Sequence, residues 1–115
     1  MKVQIIHNNR CSKSRTALNL LTENGIEPEV IKYLDNPLTK DELREVLKKL
    51  DVPASQIIRE GEAVFKENFK GKDLSEEEWI DAMVSYPKLI ERPIIVKGDK
   101  AVVGRPPENV LNLIQ

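Results

Sequence analysis

Cysteine is nearly absent from this chain: Cys11 is the only one. That excludes an intramolecular disulfide. Histidine is equally scarce, with His7 alone. One cysteine and one histidine fall short of the four ligands of a structural zinc site, so no metal is expected. Charge of one sign is also lacking. Lys and Arg number 18 against 19 Asp and Glu, a formal net charge of -1, which gives no footprint for a nucleic-acid or membrane-surface partner. No window approaches the ~18 apolar residues of a membrane span. The start, Met-Lys-Val-Gln-Ile-Ile-His, lacks a signal-peptide layout. The expected location is the cytoplasm, where a free thiol stays reduced.

What is present suits a single globular domain. The chain has 115 residues, 40% of them hydrophobic and 32% charged, enough for one core and ordinary in balance. Short strand and helix patterns alternate, without repeats or low-complexity segments. Residues 3–7 read as a strand and residues 11–24 as a helix with Ala17, Leu18, Leu20 and Leu21 on its apolar side; Gly25 suits the position past its end. Residues 29–33 read as a second strand, so the first three elements predict a right-handed βαβ unit. Thr39 with Glu42, and Ser75 with Glu78, are capping-box patterns opening two helices. Pro53 suits the start of a short helix through Ile57, and residues 62–68 form a weaker helical segment. Ile94-Ile95-Val96 and Ala101-Val102-Val103 flank a Gly98-Asp99 turn, a hairpin signal. Pro106 and Pro107 suit the opening of a last helix through Ile114.

The order βα-β-helical block-ββ-α predicts an α/β fold. It is a thioredoxin-like (glutaredoxin-like) mixed sheet, with the first and last helices packed on it and an inserted helical block. We expect one domain over residues 1–115, with the insertion at about 39–89. In such a fold the proline before the third strand, Pro93, is often cis and lies beside the reactive cysteine, although only about 5–6% of X-Pro bonds are cis in general.

Cys11 falls where the first strand pattern stops and the helix pattern starts, in the polar run His7-Asn8-Asn9-Arg10-Cys11-Ser12-Lys13-Ser14-Arg15. Backbone amides at a helix start carry partial positive charge and favour anions. A thiol there ionises more readily, and the thiolate is the nucleophile. Thiol chemistries separate by spacing. A dithiol oxidoreductase needs Cys-x-x-Cys, but the resolving position here is Ser14, so turnover requires an external thiol. A cysteine-phosphatase loop wants arginine six positions after the cysteine; that residue is Ala17. A Cys-His pair of the papain kind would have to use His7, four residues upstream on the same strand, an unusual source of a base.

These residues resemble the active-site loop of the glutaredoxin-coupled arsenate reductase family, and specifically its short bacterial members. Ile57-Ile58-Arg59, Leu89-Ile90-Glu91-Arg92-Pro93-Ile94 and Val103-Gly104-Arg105-Pro106-Pro107-Glu108 resemble that family's three arginine motifs, in the same order along nearly the whole chain. Position 9, usually proline in the family loop, is Asn9. The resemblance implies a thioredoxin fold and reduction of arsenate to arsenite through a thioarsenate on Cys11. Glutathione would be the co-substrate and glutaredoxin the partner, with no tightly bound cofactor. It also implies Arg59, Arg92 and Arg105 as ligands for the oxyanion, a role suited to arginine's planar donor fork.

Each residue also has a plainer reading. A lone arginine is usually solvated, and Arg92 and Arg105 each precede a proline and so could mark loop boundaries. His7 either tunes the Cys11 environment or simply ends the strand in a hydrogen bond. Ser12 and Ser14 either donate to the thiolate or a bound anion, or cap the helix. Arg15, like Lys13, either stays solvated or meets the carboxylates of glutathione. Trp79 and Met83 read as core. Two alternative functions remain on this scaffold: a regulatory protein that binds transcription machinery, and a monothiol glutathione-dependent oxidoreductase.

Overall fold

A computed structural model describes residues 2–114. The chain forms two compact units. One takes in the segments up to Asn36 and from Arg92 onward; the other is Pro37–Glu91.

The first unit contains one four-stranded sheet in the order β2-β1-β3-β4. Strand β1 is Val3–Ile6, β2 is Glu29–Ile31, β3 is Ile94–Lys97 and β4 is Lys100–Val103. The β1–β2 pair is parallel, with Ile5 opposite Val30. The β1–β3 and β3–β4 pairs are antiparallel, with Ile5 opposite Ile95 and Ile95 opposite Val102. The hairpin turns at Gly98, whose φ of 62° is easily reached only without a side chain. Strand β1 is central and apolar at Val3, Ile5 and Ile6, as a strand buried on both faces should be.

Helix α1, Ser12–Glu23, and helix α5, Asn109–Ile114, cover one face of the sheet. The core there joins Val3, Ile5 and Ile95 of the sheet to Ala17 and Leu21 of α1 and Val110 of α5. Residues 17 and 21 are one helical turn apart and fully buried. Burial of a side chain the size of Leu21 contributes roughly 1.5–3 kcal/mol. The helix stops at Glu23, and Gly25 lies just past its end as the pattern predicts, with φ of 77° and its amide donating to the Thr22 carbonyl at 3.0 Å.

The second unit is helical. It contains α2 (Lys40–Leu50), α3 (Ala63–Asn68) and α4 (Glu76–Ser85), with 3-10 turns at Ala54–Ile57 and Pro87–Leu89. Both capping boxes form: Thr39 with Glu42 opens α2, and Ser75 with Glu78 opens α4. Helix α4 packs against α2 and against both 3-10 turns. Met83 is fully buried. Trp79 is only half-buried, in an aromatic cluster with Phe65 and Phe69 at centroid distances of 6.2 and 6.1 Å. Across the α2–α4 surface, Arg44 and Lys40 meet Glu77 at 2.7 and 2.9 Å, and Lys40 meets Asp81 at 2.8 Å.

Several boundaries differ from expectation. Strand β2 ends at Ile31 rather than residue 33, because Tyr33 donates back to the Ile31 carbonyl and Asn36 to that of Lys32. Pro106 and Pro107 lie before α5 rather than inside it. They form the turn whose carbonyls accept from Asn109 and Val110. No helix among the described residues is long and apolar enough to cross a membrane.

Candidate active site

The site begins where β1 stops. The His7 amide extends the parallel ladder by one bond, donating to the Ile31 carbonyl at 2.9 Å. The chain then leaves the sheet in a tight turn. Asn8 Oδ1 accepts from the Arg10 amide at 3.0 Å, and the Asn8 carbonyl accepts from the Cys11 amide at 3.0 Å. This side-chain-to-backbone closure is the local conformation asparagine favours. Cys11 becomes the N-cap of α1, extended at φ -94° and ψ 121°. The first helical turn contains no acidic residue, so nothing there offsets the positive end of the helix dipole.

Opposing influences act on the Cys11 thiol. Burial pushes it up; the Ser14 amide, the Arg92 side chain, the Arg105 charge and the Lys13 amide pull it down, and the net direction is below the ordinary thiol value. The thiol makes no formal cap hydrogen bond. The Ser14 and Lys13 amides act on it from the first turn of the helix. Arg105 makes the direct contact, its Nη2 donating to Cys11 Sγ at 3.3 Å. Its Nε donates to the Arg92 carbonyl at 2.7 Å, which holds the guanidinium on the thiol. Both Arg92-Pro93 and Arg105-Pro106 peptide bonds are cis.

Gly104 allows this close approach. Its amide donates to the Pro93 carbonyl at 2.8 Å. A Cβ at residue 104 would stand 2.7 Å from Pro93 Cγ and 3.1 Å from Ile95 Cδ1. Nothing in the sequence pattern singles out Gly104, since the contact joins segments distant along the chain.

His7 and Ser14 are both buried and share a 2.6 Å hydrogen bond between Nδ1 and Oγ. The Ser14 hydroxyl also accepts from the Asn8 amide at 3.1 Å. So it neither caps the helix nor meets the thiol; the backbone amide of Ser14 acts on Cys11. Burial lowers the His7 pKa, opposed by the Asn9 side chain and reinforced by the Lys32 and Arg15 charges. His7 is thus neutral near pH 7 and braces the loop through Ser14. Ser12 is exposed. Arg15, also exposed, donates to the Asn9 carbonyl at 2.9 Å.

Arg59 belongs to the helical unit. There it contacts Glu91 at 2.6 Å through Nη1 and Glu62 at 3.4 Å through Nε. Reading the arginine motifs alone misses both carboxylates, although Glu91 sits inside the second motif and Glu62 three residues after Arg59. Among the described residues, no group of three or more His, Cys, Asp or Glu is placed to hold a metal ion.

A mixed four-stranded sheet with helices packed on it and the sole cysteine at the start of the first helix defines a thioredoxin-like protein. The chain matches the family model of the ArsC family over residues 6–113, and it belongs to that family. It is 52% identical over 115 residues to "Uncharacterized protein YfgD" of Escherichia coli K12, covering 98% of this chain and 97% of that one. It is 42% identical over 116 residues to "Arsenate reductase" of Haemophilus influenzae, covering 99% and 100%. The solved "Arsenate reductase from Vibrio cholerae" superposes with a TM-score of 0.94 at 43% identity, covering 99% of this chain and 98% of that chain. The thioredoxin-like ArsC fold and the family expected from the sequence are therefore established.

Proposed function

We propose that the protein is an arsenate reductase that uses glutathione and glutaredoxin as reductants. One observation carries this reading: Arg105 Nη2 lies 3.3 Å from Cys11 Sγ, a guanidinium on a thiol already pulled below its ordinary pKa. The names of the Haemophilus and Vibrio relatives support the substrate class. Ser14 in place of a second cysteine supports the need for an outside thiol.

The reaction follows in balanced steps. Arsenate sits beside Cys11 against Arg92 and Arg105. The Cys11 thiolate attacks arsenic, an S–As bond forms, and hydroxide leaves. The glutathione thiol condenses at the same arsenic and releases water. A glutaredoxin thiolate then attacks the glutathione sulfur. The electron pair of the breaking S–As bond stays on arsenic, reducing As(V) to As(III), and a glutaredoxin–glutathione disulfide departs. Water hydrolyses the remaining Cys11–arsenic bond, giving arsenite and the thiol. The arginines lower the barrier by meeting negative charge as it shifts in the transition state. His7 and Ser14 position the loop without taking a proton. The chemistry needs a reducing compartment, and we place the protein in the cytoplasm.

Arsenite formation with arsenate, glutathione and glutaredoxin tests this. The wild type should turn over, and Cys11→Ser should not. Absence of turnover by the wild type, with activity instead on a glutathionylated peptide, would reassign the protein as a monothiol oxidoreductase.

A further inference from the structure

We infer that Asn109 is a positioning residue for Arg105: its side-chain amide clamps the loop that sets the Arg105 guanidinium on Cys11. The inference rests on the reading of Arg105 as the group that activates the thiol. Both residues, the loop and Cys11 belong to the sheet unit.

The loop runs from the end of β4 at Val103 to the start of α5 at Asn109. It is poor in donors of its own. Pro106 and Pro107 have no N–H, and the Gly104 amide is engaged by the Pro93 carbonyl at 2.8 Å. The carbonyls of Val103, Arg105 and Pro106 instead meet one residue, Asn109. Its Nδ2 donates to the Val103 carbonyl and to the Arg105 carbonyl, each at 3.2 Å. Its backbone amide donates to the Pro106 carbonyl at 3.0 Å. Two carbonyl oxygens can be met only by the NH2 end of the side-chain amide, so the orientation of Asn109 is set by its partners. Both side-chain bonds are partly shielded from solvent, where a carbonyl left without a donor is costly.

Arg105 is thus held at both ends. Asn109 fixes its main chain at the carbonyl, and the Arg92 carbonyl fixes its Nε at 2.7 Å. Nη2 then lies 3.3 Å from Cys11 Sγ. A long side chain on a loose loop would give up more conformational freedom to make that contact. Pinning the main chain beforehand reduces the loss and keeps the guanidinium on the sulfur. Asn109 therefore acts on the thiol through Arg105.

The pH midpoint of Cys11 ionisation, followed by thiolate absorbance, tests the clamp. Asn109→Ala removes both side-chain donors and suits a helix. Its midpoint should rise, cutting the thiolate present at lower pH about threefold, the scale of one weak hydrogen bond. Asn109→Ser keeps one donor hydrogen and should rise less. In an Arg105→Ala background, Asn109→Ala should add nothing. Leu113→Ala is the control for a merely structural effect. Leu113 packs the same helix on the core, so its truncation should lower stability in denaturant without moving the midpoint. An unchanged midpoint in Asn109→Ala and Asn109→Ser, beside a raised one in Arg105→Ala, would overturn the clamp and leave the activation of Cys11 by Arg105 standing. A rise in Asn109→Ala that persists without Arg105, or that Leu113→Ala reproduces, would overturn the clamp equally. A midpoint unmoved by Arg105→Ala would overturn the activation itself, and the clamp with it.

Discussion

In the sheet unit, Arg105 aims its guanidinium at a sulfur and a carbonyl oxygen. In the helical unit, Arg44 and Arg59 aim theirs at carboxylates. The same residue type is put to two uses. At the surface of the helical unit, the cation and the carboxylates neutralise one another and tie α2 to α4. Around Cys11, the positive charge is directed at a group that gains negative charge when it ionises. An arginine's contribution to chemistry is therefore decided by its partner, which for Arg105 is a residue 94 positions away.

The largest way to break this contrast is to remove the cation from the thiol. Arg105→Ala should slow arsenite formation by about 10- to 100-fold, the loss of a hydrogen bond to a charged group of roughly 1.5–3 kcal/mol. Steady-state rates would show it; a rate within twofold of wild type would mean that the contact is incidental.

Gly104→Ala probes the packing that supports the contact. Its Cβ would meet Pro93 Cγ at 2.7 Å, so denaturant unfolding should report a loss of about 1–3 kcal/mol. Gly61, in the helical unit, has nothing within 4 Å of a built Cβ, and Gly61→Ala should stay within about 0.5 kcal/mol of wild type. Equal costs for the two alanines would erase the contrast.

The smallest effect belongs to the exposed clasp. Hydrogen bonds from Arg44 first, then Lys40, hold the Glu77 carboxyl at about 2, below its ordinary 4.5. A carboxyl depressed in the fold stabilises the native state above pH 4.5. That contribution declines as pH falls toward 2. Acid titration followed by circular dichroism should therefore show Glu77→Gln losing less stability than wild type over that window. High salt should narrow the difference. A Glu77→Gln profile superimposable on wild type at low salt would show that the clasp has no part in acid stability.

Much of this contrast was legible in the chain. Thr39 with Glu42 and Ser75 with Glu78 are local signals three residues apart, and both form as capping boxes. Cys11 at the start of α1 was equally readable, because strand and helix periodicities change there. The thioredoxin-like order of elements followed from the same local signals. The parts that could not be read are contacts between distant segments. The Ser14 hydroxyl turning to His7 rather than to the thiol, the close fit of Gly104 on Pro93, and Glu91 on Arg59 all depend on register and packing. The short β2 had a local cause, but it lies in backbone turns at Lys32 and Ile31 that residue patterning does not specify.

The most direct test of the central claim is a pH titration of Cys11 by thiolate absorbance or alkylation rate, on the wild type and on Arg105→Ala. The wild-type midpoint should lie below the ordinary thiol value of 9.0, and it should rise in Arg105→Ala. A wild-type midpoint at the ordinary value, or one that does not move when Arg105 is removed, would contradict the account.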